Sequence, residues 1–169
     1  YLGLTSVGPI FISLDLYLVD GGLDLSCIPN DMRFRFERKK SKFKPDFVLF
    51  NNWSLLCKRE IFEIFIQRCK IDVFSSKLKI DEELYHLFVV KTELAAFDEE
   101  RSIFTLFEDG DNIFTMDKLR LRPDFHTDYD LFRLSEYYAL RTDLFCSDKF
   151  KKIYEDNGFT GLEFFDASS

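Results

Sequence analysis

The sequence is poor in the residues from which metal and redox sites are built. Its 169 residues include two histidines, His86 and His126, and four cysteines at positions 27, 57, 69 and 146, none of them in a C-x-x-C pair. Zinc sites need clustered Cys and His side chains, so we expect no metal ion. The isolated cysteines are typical of small buried hydrophobes in a reducing compartment rather than of a disulfide framework.

Glycine-rich nucleotide motifs and the serine-hydrolase motif are also absent. The sequence contains no G-x-G-x-x-G, no G-x-x-x-x-G-K-[ST] and no G-x-S-x-G, so it offers no recognisable phosphate cradle or nucleophile elbow. Segment 109–112 (DGDN) superficially resembles a calcium loop, but it lacks the glycine at position six and the closing glutamate. We therefore interpret it as a plain acidic turn, and we expect no cofactor.

Long apolar runs are missing as well. No run approaches the ~20 residues that a membrane-spanning helix needs, and the N-terminal segment lacks the basic start of a signal peptide. We therefore expect a cytoplasmic protein with no membrane partner. The formal net charge of −7 argues against a nucleic-acid partner, because binding phosphates needs a basic face. An acidic surface attracts cationic partners, although many cytosolic proteins are acidic only for solubility.

Phenylalanine is unusually abundant. The chain contains 21 Phe, and apolar residues make up 46% of it. Each buried ring removes a large area from water, so we expect most of these residues in a thick core. The length is typical of one domain spanning residues 1–169, and no linker or low-complexity tract divides it.

Two segments have the periodicity of amphipathic helices. Residues 58–69 form the clearest one, with Ser54 as a candidate N-cap. Its apolar stripe consists of Ile61, Phe62, Ile64, Phe65, Ile66 and Cys69. Residues 148–156 predict a second helix, capped by Ser147 and ended by Gly158 in a left-handed conformation.

Apolar, β-rich segments predict the strands. They are residues 9–19, 71–76, 84–91, 102–107, 113–116, 129–134 and 161–165. The Asp-Gly pair between 102–107 and 113–116 is a hairpin signal. These elements predict an α+β fold, with a mixed or antiparallel sheet and two main helices packed on one face. Residues 57–74 and 146–163 align as cap, helix and strand, which favours a duplicated unit on one sheet, although chance also explains so short a match.

Charge is concentrated in two segments of opposite sign. Residues 33–44 carry a net charge of +6 and start with an alternation typical of a strand, which favours an edge strand and loop. Residues 98–117 contain seven acids against Arg101 alone. The hairpin turn would present part of this charge on a loop, where binding residues are often found. The candidate interface residues are Asp98, Glu99, Glu100, Glu108, Asp109 and Asp111.

A catalytic site could still be assembled from residues far apart in the sequence. The candidate pairs are Cys146 with His126 and Cys57 with His86, but no local motif supports either. His86 lies within an apolar strand pattern, which favours a satisfied core histidine. We therefore expect no enzymatic activity.

From Pro45 onward the chain resembles the Imm-eleven family of bacterial immunity proteins, the DUF-1629 domain. The resemblance rests on PDFVLF (45–50), CKREIFEIFIQRC (57–69), AAFDEERS (95–102) with its Asp-x-x-x-Ser spacing, LFRL (131–134) and LFCSDKFKKIYEDNGFTGLEFFD (144–166). It covers about three quarters of the chain. Cys57 and Lys58 depart from the Ser cap usual before the family's first helix, and residues 1–44 match nothing recognisable.

The resemblance implies an immunity protein that binds a cognate secreted bacterial toxin in the producer's cytoplasm and occludes its active site. The partner would be a toxin domain with a basic surface. Two alternatives remain open: an enzyme with a non-local Cys/His site, and a regulatory module that binds a protein unrelated to toxin defence.

Overall fold

The computed structural model describes residues 2–6, 18–19, 22–23, 33–34, 45–50, 54–80 and 83–167. In chain order the first elements are β1 (Leu2–Ser6), β2 (Leu18–Val19), β3 (Gly22–Leu23), β4 (Arg33–Phe34), β5 (Phe47–Phe50), β6 (Ser54–Lys58), α1 (Arg59–Arg68), β7 (Val73–Ile80) and β8 (Glu83–Val90). They are followed by β9 (Glu93–Leu94), β10 (Ile103–Leu106), β11 (Ile113–Lys118), β12 (Leu131–Leu134), a 3-10 helix (Tyr138–Thr142), β13 (Phe145–Cys146), α2 (Asp148–Asp156) and β14 (Leu162–Asp166).

The strands form two five-stranded sheets and two two-stranded pairs. Sheet 1 has the order β4-β7-β8-β6-β5, sheet 2 has the order β14-β1-β13-β12-β9, and β10 pairs with β11 and β2 with β3. The pairs β4–β7 and β9–β12 are parallel and the other described pairs are antiparallel. The predicted α+β class with mixed sheets is therefore confirmed.

The expectation that both helix–strand units share one sheet is wrong. The unit β6-α1-β7 belongs to sheet 1, whereas β13-α2-β14 belongs to sheet 2. The sequence similarity is still reflected in local structure, because Cys57 and Cys146 both lie in a strand just before a helix. The units meet in one core, where the rings of Phe65 on α1 and Phe150 on α2 have centroids 4.4 Å apart.

Helix α1 confirms the predicted helix but not its cap. Ser54 does not cap it; Ser54 is fully buried at the start of β6, and Lys58 stands at the N-cap with no side-chain cap hydrogen bond. The strand forms because Leu55 and Leu56 lie on opposite faces of sheet 1, both buried, where a helix turn would bury only one side. Of the predicted stripe, Ile66 is exposed.

Helix α2 begins and ends as predicted. The Ser147 hydroxyl accepts a hydrogen bond from Phe150 N at 3.2 Å, which satisfies one of the free N–H groups of the first turn. Gly158 follows the helix with φ +65°, the left-handed conformation that glycine adopts without steric strain.

A hydrogen-bonded junction joins the start of β5 to the segment before β14. The Thr160 amide and hydroxyl donate to Asp46 Oδ2 at 2.9 and 2.8 Å, and Asp46 N donates to Thr160 Oγ1 at 3.2 Å. Gly161 has φ +109°, and a Cβ there would lie 1.9 Å from the Phe47 carbonyl oxygen. Only glycine fits this close approach, so the Pro-Asp-Phe and Thr-Gly segments depend on each other.

Two apolar clusters lie on either side of sheet 2. The first contains the buried faces of both helices together with Phe47, Leu55, Phe88 and Leu131. The second contains Phe97, Ile113, Leu121, Phe132, Leu134, Leu140 and Phe145. The second cluster supports the β10–β11 pair, so it positions the surface described below.

Several predictions fall partly or wholly outside the described residues. The strand expected over 9–19 is described only at β2, where it is a strand. The basic segment 33–44 is described only at β4, which is an edge strand of sheet 1, as expected. In the described ranges, neither α1 nor α2 is long and apolar enough to span a membrane.

Candidate protein-binding surface

The strands β10 and β11 form the predicted antiparallel hairpin. Phe104 pairs with Met116 and Thr105 with Thr115, and the register shifts on both sides of these pairs. The Thr105 and Thr115 hydroxyls are 2.6 Å apart across the strands. Such shifts sharpen the local twist of a hairpin, which changes the direction in which its outer side chains project.

The hairpin tip is an ordered, hydrogen-bonded turn. Phe107 N donates to the Asn112 carbonyl at 3.0 Å, and Gly110 N donates to the Phe107 carbonyl at 2.9 Å. Gly110 has φ +75°, a conformation that favours glycine in turns. The Asp109 carboxylate accepts from Asp111 N at 3.1 Å. The backbone of the acidic turn is therefore fixed by contacts within the turn.

The inner side of the hairpin is held on the second apolar cluster. Asn112 Oδ1 accepts from Ala139 N at 3.1 Å, which links the end of the turn to the 3-10 helix. Phe104 packs with its ring centroid 5.4 Å from that of Phe97 and 6.1 Å from that of Tyr137. Ile113 is buried beneath the turn. The base of the hairpin is thus packed on the second apolar cluster and hydrogen-bonded to the 3-10 helix.

The outer side of the hairpin presents exposed apolar side chains. Phe114 is 65% exposed and Phe107 is 48% exposed, and their rings meet edge to face with centroids 5.1 Å apart. Ile103 and Leu106 are also exposed. An open depression of about 730 Å³ is lined by Leu106, Phe107, Glu108, Asp109 and Phe114. A contiguous apolar patch with a polar rim is typical of an interaction surface.

Three of the six predicted acids lie at this tip. Glu108, Asp109 and Asp111 are all exposed. Within the described part of the chain, the carboxylates of Glu108 and Asp111 have no hydrogen-bond or ion-pair partner. The tip therefore carries negative charge that no described basic side chain neutralises.

The other three predicted acids form a separate turn before β10. The Asp98 side chain is only 11% exposed, and its Oδ1 accepts from Arg101 N at 3.0 Å. Glu99 accepts a hydrogen bond from the Tyr137 hydroxyl at 2.9 Å, and this bond raises the pKa of Tyr137. Glu100 is exposed. Asp98 thus stabilises the turn, whereas Glu100 faces outward.

The structure does not bring the two acidic groups together. The turn at 98–102 precedes β10, and the tip at 107–112 follows it. Four residues of strand separate them, which at about 3.3 Å per residue is roughly 13 Å. Sequence reasoning missed Phe107 and Phe114 at the tip. No local signal in the sequence marked them, because the contact between the two rings depends on the register shifts of the hairpin.

The candidate pair Cys57 and His86 is brought together, but without the contact that catalysis needs. The two residues are directly opposite each other on β6 and β8. The His86 ring stacks on that of Phe62 with centroids 4.5 Å apart, and neither ring nitrogen of His86 has a hydrogen-bond partner among the described residues. Burial raises the pKa of the Cys57 thiol far above its usual value. Because a nucleophilic cysteine needs a base in contact and a lowered pKa, this pair is not an activated nucleophile.

His86 is a core residue, as expected, but the described part of the chain offers its ring nitrogens no hydrogen-bond partner. Burial lowers its pKa below the usual 6.5, and the nearby charges of Lys77 and Arg59 lower it further. In the second candidate pair, Cys146 is fully buried and His126 is exposed. Burial also raises the pKa of Cys146. No group of three or more His, Cys, Asp or Glu side chains is arranged to hold a metal ion in the described ranges.

A packed α+β scaffold that presents a hydrogen-bonded hairpin with exposed rings and carboxylates has the features of a protein-binding module. Residues 66–169 match the Immunity protein family (Imm11). The match covers more than half of the chain, so the chain belongs to this immunity protein family, which confirms the family expected from the sequence. Membership indicates toxin immunity in general and implies a non-enzymatic role. No curated protein shows a significant match.

Proposed function

We propose that this protein binds a cognate toxin domain in the cytoplasm of the producing cell and neutralises it by covering the toxin's active site. Membership of the immunity protein family supports the toxin as partner. The exposed β10–β11 hairpin is the observation that carries the proposed binding mode. One polypeptide spanning residues 1–169 would act as a single binding domain.

The tip acids are the strongest candidates for the interface. Glu108, Asp109 and Asp111 are exposed on a turn that is already ordered, so binding would require little loss of conformational entropy. Their charge would steer a basic toxin surface toward the hairpin. Glu99 and Glu100 would extend the contact at the base of the hairpin, and Asp98 would hold that turn in place.

Titration calorimetry with the toxin domain encoded beside this protein tests the proposal. We expect a 1:1 complex of nanomolar affinity or tighter, which corresponds to ~12 kcal/mol of binding free energy. The complex should also lack toxin activity, and inhibition should reach completion at one equivalent.

A competition assay tests active-site occlusion separately. Adding saturating toxin substrate or a tight substrate analogue should slow formation of the complex, because both ligands would need the same surface. Tight binding with unchanged rates would contradict occlusion while leaving toxin binding intact. No binding between two folded proteins would contradict the proposed function itself.

A further inference from the structure

We propose that Phe107 and Phe114 form an aromatic wedge that inserts into an apolar pocket on the toxin, and that Lys or Arg side chains on the rim of that pocket pair with Glu108 and Asp109. This inference rests on the proposed function and identifies the chemistry of the surface that the hairpin would bind.

The two rings are arranged as a preformed unit. They contact each other edge to face at 5.1 Å between centroids. Phe107 directly follows β10, Phe114 lies on β11, and the bond from Phe107 N to the Asn112 carbonyl joins the two segments. Aromatic side chains in an interface bury a large area and lose little conformational entropy. Phe107 and Phe114 therefore have the geometry of anchor residues that dominate binding energy.

Other exposed aromatic side chains lack this arrangement. Phe74 on β7 is 57% exposed, but Lys91 Nζ lies over its ring, 4.7 Å from the centroid. Phe165 on β14 is exposed without a second aromatic ring beside it in the described residues. Single exposed apolar residues are ordinary on a protein surface. The pair on the hairpin is distinguished by contact between two exposed rings.

The acidic residues beside the two rings indicate which kind of partner binds this patch. The depression is lined by the two rings and Leu106 together with the acidic residues Glu108 and Asp109. A second copy of this chain related by a twofold axis would bring like charges together, which disfavours self-association. A basic surface with an apolar pocket would bury the rings and pair with the carboxylates. The partner we infer is therefore a toxin with such a surface.

Binding kinetics with the toxin domain encoded beside this protein test the wedge. We expect Phe107→Ala and Phe114→Ala each to raise the Kd at least ~10-fold, mainly through faster dissociation, and the double variant to raise it further. Phe74→Ala is the matched control, because it removes an equally exposed ring from another strand. Its Kd should remain within about twofold of the native value.

Charge reversal tests the rim. The double variant Glu108→Lys/Asp109→Lys should lower the association rate at least ~10-fold at low salt, and the difference should shrink as salt screens the charges. Asp124→Lys is a control of the same kind, because Asp124 is an exposed acid that belongs to neither strand of the hairpin nor its turn. If Glu108→Lys/Asp109→Lys associated with the toxin as fast as Asp124→Lys does, the proposed basic rim of the pocket would be wrong.

The outcomes separate this inference from the proposed function. If native protein binds and inhibits the toxin but both Phe variants bind with native Kd, the wedge is wrong and the immunity role stands. If native protein does not bind, the proposed function fails first. Light scattering adds one more outcome: a native dimer that Phe107→Ala/Phe114→Ala converts to monomers would assign the patch to a second copy instead.

Discussion

Carboxylates in two regions of this molecule have opposite surroundings. Asp130 is 6% exposed, and its side chain accepts from Lys70 N at 2.8 Å, Ser147 Oγ at 2.5 Å and Lys149 Nζ at 3.0 Å. Glu108 and Asp111 at the hairpin tip are exposed and have no such partner among the described residues. The first region joins elements of the fold, whereas the second faces outward.

The difference separates charge used for folding from charge available for binding. Asp130 links the end of α1 to the cap of α2, because the Ser147 hydroxyl that donates to Asp130 also accepts from Phe150 N. Burial alone would raise the pKa of Asp130, but hydrogen bonds from Ser147, Lys70 and Lys149 lower it below its usual value. A carboxylate whose ionised form is stabilised in this way supports the native state.

Glycine substitutions should show the largest difference in stability between the packed interior and the hairpin tip. Gly161→Ala forces a Cβ to within 1.9 Å of the Phe47 carbonyl at a φ of +109°, so we expect unfolding to become easier by ~4 kcal/mol or more. Gly110→Ala at the tip meets nothing within 4 Å and has φ +75°. The free energy of unfolding of Gly110→Ala should fall by only about 1 kcal/mol. Urea denaturation of both variants measures the difference, and equal losses would show that the close approach at Gly161 relaxes freely.

Replacing Asp130 should produce the next largest loss. Asp130→Ala removes the acceptor of three donors, so the partly buried Lys70 amide and Ser147 hydroxyl lose that partner. We expect a loss of about 3 kcal/mol in the free energy of unfolding. Asp111→Ala at the tip should change it by less than ~0.5 kcal/mol. If both variants lowered the free energy of unfolding by similar amounts, the tip carboxylate would contribute to the fold as Asp130 does.

The sequence predicted the fold class, both helices, the hairpin and the cap at Ser147, because each depends on local patterns. It did not predict the division into two sheets, since nothing local in β6 or β13 specifies which strands they pair with. Ser54 had the chemistry of a cap, but burial of Leu55 and Leu56 on both faces of sheet 1 favoured a strand. Long-range pairing overrides such local signals.

The candidate surface could be anticipated only as charge. Glu108, Asp109 and Asp111 are visible in the sequence as an acidic turn. The exposed contact between Phe107 and Phe114 depends on the register shifts of the hairpin, and composition alone assigns phenylalanine to the core. Asp130 gave no signal in the sequence, because its donors come from residues 60 positions before it and 17 and 19 positions after it.

Acidification should destabilise the folded protein through the buried His86. Burial lowers the pKa of His86 in the folded state below its usual 6.5. The unfolded chain then binds a proton more readily, so the stabilisation is present above pH 6.5 and decreases as the pH falls from there toward the folded pKa. The urea midpoint should therefore drop between pH 7.5 and 5.5, and His86→Phe should reduce that drop. An equal drop in both proteins would assign the pH dependence to other groups.

The smallest effect on stability should come from the exposed rings that we propose as anchors for the toxin. Phe114→Ala removes a ring that is 65% exposed and contacts mainly Phe107, so we expect a change of about 0.5 kcal/mol or less in the free energy of unfolding. Phe104 on β10 packs on Phe97 and Tyr137, so Phe104→Ala should lower the free energy of unfolding by about 2 kcal/mol. If Phe114→Ala proved as destabilising as Phe104→Ala, the ring would belong to the hairpin's own packing, and a change in toxin affinity could then reflect a distorted hairpin. A stable Phe114→Ala protein with weakened binding would instead show that the exposed ring is retained for contact with a partner.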